Sequence, residues 1–383
     1  MSYSAKPRGW HSVKLSDLVF FQRGFDITQA QQKPGPYPVI SSSGVTSFHD
    51  EFKASGPGVV IGRKGTLGSI HFTAGDYWPH DTTLWSKDFK ENSPRFIYYF
   101  LHTLDFKRFD VGNSNPTLNR NHIHDIPITI PPCPIQDSIA SILSTYDDLI
   151  ENNHRRMALL EESARLLYRE WFVRLRFPGH EHTRIIDGVP ERWKFGCVLD
   201  FYDTASGGTP SRTNPDFFTG NIPWVKTQEL LNNFVINTDE KITEDALKKS
   251  AAKLFPERTV LVAMYGATIG QLGIIDSPAT SNQACCAIMP KDMTANFIHA
   301  FLFFRENKEK LVNLSMGAAQ NNINQQIIRL FPMLMPAHNI MKLFNEFLTP
   351  VFSHWLNLQH QNQKLRAARD LLLPRLMSGE IAV

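Results

Sequence analysis

The chain has 383 residues, 42% of them hydrophobic and 20% charged, with a formal net charge of +3. That length is too great for one ordinary core and fits two domains plus connecting structure, and the apolar content excludes a disordered chain. A sequence pI near 8.6 permits an anionic partner without demanding one.

From the start, Met1 to Val13 offers no apolar stretch of signal-peptide length, and no run of about 18 apolar residues reads as a membrane span. The sequence therefore predicts a cytoplasmic protein with no membrane partner. Five segments follow in order: a first β-rich domain over 1–133, a helix over 134–176, a linker over 177–191, a second β-rich domain over 192–336 and a closing helix over 337–383. Val260 to Ile275 is apolar but interrupted by Tyr265, Gly266, Gly270, Gln271 and Gly273, and reads as two buried strands joined by a turn. The four cysteines, Cys133, Cys197, Cys285 and Cys286, form no CxxC pair and read as reduced, packed small hydrophobes.

The segments repeat. Gly112 to Pro131 (GNSNPTLNRNHIHDIPITIP) and Gly317 to Pro336 (GAAQNNINQQIIRLFPMLMP) share a glycine, a polar Asn/Gln-rich run, an apolar residue before Asn, and a Pro-bracketed apolar stretch. VVIGRKGTLGSI from Val59 recurs, one residue longer through its turn, within VLVAMYGATIGQLGII from Val260, and Gly9, Trp10 and Leu15 are echoed by Arg192, Trp193 and Val198. The two halves read as diverged copies of one unit, each a β-rich part followed by a helix.

The helices carry the repeat further. Steps of four and three place Ile139, Leu143, Tyr146, Ile150, Asn153, Met157, Leu160, Ala164, Leu167 and Trp171 on one seam. Phe344, Leu348, Val351, Trp355, Leu358, Asn362, Leu365, Arg369, Leu372 and Leu376 form the other. This is a heptad pattern, with Glu151, His154, Arg155, Glu161, Glu162, Gln359, Gln361 and Lys364 expected on the wet side. At 1.5 Å per residue each seam is roughly 50 Å long. The short connector after Trp171 favours an antiparallel pair, and so does polarity: run antiparallel, Asn153 meets Asn362, whereas run parallel each buried amide faces an apolar residue. The predicted fold class is α+β, with two β-rich domains separated by two long antiparallel coiled-coil helices and an internal pseudo-two-fold repeat. Asn153 and Asn362 set its register.

Four further stretches carry a resemblance: GGTPSRTNPDFFTGNIPWVKTQEL (Gly207 to Leu230), PPCPIQDSIASIL opening the first helix, LLYREWFV at its end, and LLLPRLMSGEI (Leu371 to Ile381). The chain resembles, over essentially its whole length, the specificity subunits of type I restriction-modification systems. The resemblance implies a non-catalytic subunit whose two domains each read one half of a split, asymmetric target in double-stranded DNA. It implies helices that act as spacer and dock methyltransferase (modification) subunits, two in number, with restriction subunits added. S-adenosylmethionine, ATP and Mg²⁺ are expected in those partners, and no cofactor or metal in this chain. Docking is expected on the outer helix surfaces and ends, including Glu170, Arg174, Arg366 and Arg369.

Reading bases needs amide, hydroxyl and guanidinium groups, and anchoring phosphates needs cations or exposed amides. In the first domain the candidates are Arg63, Lys64, Thr66, His80, Asp81, Thr82, Asn113, Asn115, Asn119 and Arg120. In the second they are Ser211, Arg212, Lys226, Thr227, Tyr265, Ser281, Asn282, Gln283, Gln320, Asn321, Asn322 and Asn324. Against each stands the plainer role of cap or turn residue, above all for Asn119 and Asn324. Asn214 to Phe217 imitates an amino-methyltransferase motif but has Asp in place of its second Pro, and no glycine-rich cofactor loop precedes it. Pro215 and Asp216 with Asp239, Glu240 and Lys241 imitate a metal-dependent nuclease, yet DEK reads as a solvated run. His122 and His124 on one face of a strand lack a third ligand. The alternative of a different class is a coiled-coil assembly scaffold without a DNA role.

Overall fold

The computed structural model describes residues 9–109, 117–315 and 322–383. By contact the chain forms two compact units, Met1–Glu151 with Gln363–Val383, and Asn152–Asn362. The sequence reading treats the long helices as separate segments. Instead, each helix is divided between the units, because its side chains pack into whichever β-rich core lies beside it.

In the first unit His11–Lys14 pairs antiparallel with Pro127–Ile130. A four-stranded sheet follows in the order Phe20–Arg23, Thr83–Asp88, Gly58–Gly62, Ile70–Thr73, and a three-stranded one in the order Gly44–His49, Tyr37–Ser41, Trp78–Pro79. Gly58–Gly62 is buried at every position, as expected of a Val/Ile strand covered on both faces. One cover is the helix Pro94–Leu101, which starts with proline at its first turn and buries Phe96, Ile97, Tyr99, Phe100 and Leu101.

The second unit repeats this plan. Lys194–Cys197 pairs antiparallel with Pro332–Met335. Its larger sheet runs Tyr202–Ser206, Cys285–Pro290, Val260–Ala263, Leu272–Ile275, with Asn233–Val235 added in parallel at the edge; its smaller sheet runs Glu240–Ile242, Ile222–Val225, Thr280–Ser281. The apolar run from Val260 is thus the hairpin read from sequence. Phe297–Glu306 covers it, capped by the Asn296 side chain accepting from the Ile298 amide. The linker is more ordered than its irregular sequence suggests: Ile185–Ile186 and Val189–Pro190 form a small hairpin, and the ring of buried Phe177 packs tilted against Trp193, 4.9 Å between centres.

The first long helix spans Cys133–Tyr168 and continues as one π turn over Arg169–Val173; the second spans His338–Met377. Every residue of both seams is buried or half-buried. Within the second unit Asn153 Nδ2 donates to Asn362 Oδ1 at 2.9 Å, Arg156 meets His354 at 3.0 Å and Trp171 packs on Phe344 at 5.7 Å. The contacts therefore run in opposite senses along the two helices. Within the first unit Arg369 pairs with Asp147, which also accepts from the Tyr99 hydroxyl, so this seam arginine is neutralised in place and is not a free docking group. Glu170 is likewise engaged, by Arg174 and Arg176.

Several expectations are corrected. Glu161 and Gln359 do not face water: Glu161 accepts from Arg305 at 3.0 Å and Gln359 donates to the Phe234 carbonyl at 2.6 Å, because the second β-rich part packs on that side. Cys285 and Cys286 are buried, but Cys133 is exposed and Cys197 half-exposed, since Cys133 opens the first long helix and Cys197 ends the strand Lys194–Cys197. His122 and His124 fall on a short helix, Arg120–His124, and not on a strand. Among the described residues no helix is long and apolar enough to cross a membrane.

The asparagine layer yields a prediction. Asn153→Leu strips Asn362 of its amide partner inside an apolar seam and should destabilise the protein by about 1–3 kcal/mol. The double variant with Asn362→Leu should recover most of that loss, as read from urea unfolding midpoints.

Candidate nucleic-acid interface

Backbone hydrogen bonds recur between the modules position for position around one hairpin. The Leu118 amide donates to the Arg63 carbonyl at 2.9 Å, and Ile323 to Met264 at 3.0 Å; Arg63 donates to Thr82 at 2.8 Å, and Met264 to Ala284 at 2.8 Å. Likewise the His80 amide donates to Ile40 at 2.9 Å and Asn282 to Val225 at 2.9 Å. Gly65 and Gly266 take left-handed backbone angles (φ +75° and +63°) at matching points of the turn, where a side chain would be strained. At Gly24 and Gly207 an added Cβ would lie 2.1 and 2.3 Å from backbone oxygens of the strand alongside, so the chain can approach that closely only without one.

On this shared frame the side chains differ. The hairpin tips present exposed Lys64 in one module and Tyr265, 40% exposed, in the other. Beside them His80 Nδ1 accepts from the Thr82 amide at 3.3 Å, and Asn282 Oδ1 accepts from the Ala284 amide at 3.2 Å. Two unlike residues thus make the same turn. Thr66 and Arg120 are exposed, and Thr82 is half-buried against His80. Arg63 is half-buried with Nη1 lacking a hydrogen-bond partner among the described residues; burial, and then the nearby Arg23 charge, hold its pKa below the usual guanidinium value. Asp81 is paired with Arg23 at 2.9 Å. The ligand atoms of Asp26, His80 and Asp81 lie within 4.8 Å of one another, with Arg23 already supplying positive charge to that group.

In the second module Ser211 bonds Thr213 at 2.7 Å, Thr227 sits half-buried in a tight turn, and exposed Gln283 accepts from Thr209. Arg212 and Lys226 both reach Glu240, at 2.6 and 3.1 Å. Asn322 bridges to Tyr265 through the backbone. Ser281 is fully buried on the strand paired with Val225, out of reach of a DNA surface for which it was a candidate. Asn119 and Asn324 are helix caps, accepting from the Asn121 and Ile327 amides at 3.0 and 2.9 Å. Asn113, Asn115, Gln320 and Asn321 lie outside the described residues.

Sequence reading missed a recess of about 300 Å³ beside His80 and Thr82, lined by Gln29, Gln32, Ser41, Ser42, Thr46 and Ser47. Most of the residues that line it carry a hydroxyl or an amide, groups that can donate to or accept from base edges. The only sequence signal was its Ser/Gln richness, which also describes an ordinary loop.

A family model for the "Type I restriction modification DNA specificity domain" matches residues 7–162 and again 190–367. The chain belongs to this family. It is similar to the type I restriction enzyme MjaIX specificity subunit of Methanocaldococcus jannaschii, 24% identical over 298 residues that cover 75% of this chain and 69% of that one. It is similar also to the HindI specificity subunit of Haemophilus influenzae, 23% identical over 356 residues that cover 75% and 77%. A crystal structure of a type I restriction-modification S subunit from M. genitalium shares the fold, with a TM-score of 0.62, 13% identity and 96% of each chain covered. As a specificity subunit with two recognition domains, the chain serves DNA sequence recognition and is not itself a catalyst. Both imitations of catalytic motifs fit that standing: Asp216 is exposed in a Pro-initiated turn, and Glu240 is engaged by two cations.

Lys64 is the exposed cation at the tip of the first specificity module. Lys64→Ala should weaken binding to every duplex by a few-fold and lower the slope of log affinity against log salt by about one. Titrations at several salt concentrations measure both.

Proposed function

We propose that this specificity subunit reads a split, asymmetric target in double-stranded DNA, one half with each module. On this reading the paired helices form an antiparallel coiled-coil spacer between the modules. The observation that carries the proposal is the pairing of one hydrogen-bonded frame with two unlike faces: Lys64 against Tyr265, His80 against Asn282, and a neutral recess against a charged cluster. Identical frames with identical faces would read a palindrome, whereas diverged faces read two different sequences.

The helices are the docking ground for two modification subunits, to which restriction subunits are added. Leu159, Leu166, Val173 and Phe347 lie exposed on them, Leu159 at 69% and Phe347 at 59%, an apolar surface suited to partner helices. S-adenosylmethionine, ATP and Mg²⁺ act in those partners, in the cytoplasm, and the product is DNA methylated at adenine or cleaved when unmodified. Family membership disfavours the scaffold alternative, which has no DNA role.

Selection from a random duplex library by the purified chain with its modification subunit should enrich a two-part motif whose halves differ. Binding should fall steeply with salt. Retention without any enriched sequence would overturn the proposal.

A further inference from the structure

The two modules can be compared at one place that recognition has not explained. In the first, Val39 faces Ser47 across one strand pair and Trp78 across the other. In the second, Trp224 faces Glu240 and Thr280 in the same two ways. Glu240 therefore takes the place of Ser47, and Lys226, two residues beyond Trp224, takes the place of Ser41. Where the first module has a neutral polar recess, the second has a cluster of charges.

That cluster is tightly built. The Arg212 guanidinium donates to both Glu240 oxygens, at 2.6 and 3.3 Å, and lies over the Phe218 and Trp224 rings at 4.1 and 5.0 Å from their centres. Lys226 donates to Glu240 at 3.1 Å and meets Asp239 at 3.4 Å. One carboxylate thus occupies two cations at once, in the posture a backbone phosphate would take between them. Arg212 next to Glu240, helped by Lys226, holds the Glu240 carboxyl below its usual range, so it stays charged at neutral pH.

We propose that Glu240 is a specificity-determining residue that withholds Arg212 and Lys226 from the phosphates of indiscriminate duplex. The inference rests on the DNA-reading proposal above and goes beyond it. Free cations at a reading face add sequence-independent affinity, which erodes the ratio between target and non-target binding. An internal carboxylate cancels that term without removing side chains that position the face. Glu240 acts through its two partners and is a positioning residue.

The test is the salt dependence of the full chain binding a duplex of random sequence. Glu240→Gln keeps the shape and removes the charge; it should tighten this binding by roughly tenfold at low salt and steepen the log–log slope by about one to two, the signature of one or two added phosphate contacts. Glu240→Asp should restore the wild-type slope. Asp239→Asn, at an exposed position that does not threaten folding, should give a smaller gain of the same sign by loosening Lys226. An unchanged or shallower slope in both neutral variants overturns the inference. A wild-type chain with no salt-dependent binding overturns instead the DNA-reading proposal on which it rests.

Discussion

In each module the first strand is tied to the last. His11–Lys14 pairs with Pro127–Ile130, and Lys194–Cys197 with Pro332–Met335, and in both cases the next residue donates back into the same turn: Leu15 to the Ile126 carbonyl, Val198 to Phe331. The strand that closes the sheet system is also the one that runs into the long helix. Closing the module and orienting its helix are therefore one event. Without that closure the asparagine-capped turn, the hairpin it braces and the helix would have no fixed relation within the unit.

Once the frame is fixed by backbone bonds, the side chains on its reading face can diverge at little cost. His80 and Asn282 illustrate the rule, since ring nitrogen and amide oxygen accept the same backbone proton. Ser47 and Glu240 illustrate its consequence, since the same position builds an uncharged recess in one module and anchors an ion cluster in the other. Duplication followed by divergence on a constant frame is how a single polypeptide acquires two unlike faces. Buried groups were freer to stay the same: the Val/Ile and Val/Leu strands at the centre of each larger sheet are buried at every position.

Much of this was legible in the residues. The repeat emerged from glycine, asparagine and proline placement, and those residues do make the turns and caps that backbone geometry demands. The seam was legible because heptad spacing is long enough to average out exceptions, and Asn153 and Asn362 stood out as the amides inside it. Less legible was anything set by distant pairing. Glu240 lies 28 residues from Arg212 and 14 from Lys226, so a solvated-looking DEK run hid a shared counterion. Ser281 sits on a two-residue strand, too short to display alternation, and its burial comes from Val225 alongside. Asp147 partners Arg369 from the other long helix, and nothing local marks it. The five residues Arg120–His124 were too few to distinguish a helical turn from a strand.

The central claim is that each module reads its own half of the target. Adenine-methylation mapping in cells that express the chain with its modification subunit tests it most directly, comparing wild type with a variant in which Lys64, His80 and Thr82 are all replaced by alanine. The account predicts that the methylated motif changes or relaxes in one half alone, with the other half and the spacing between them kept. A motif altered in both halves, or in neither, would contradict it.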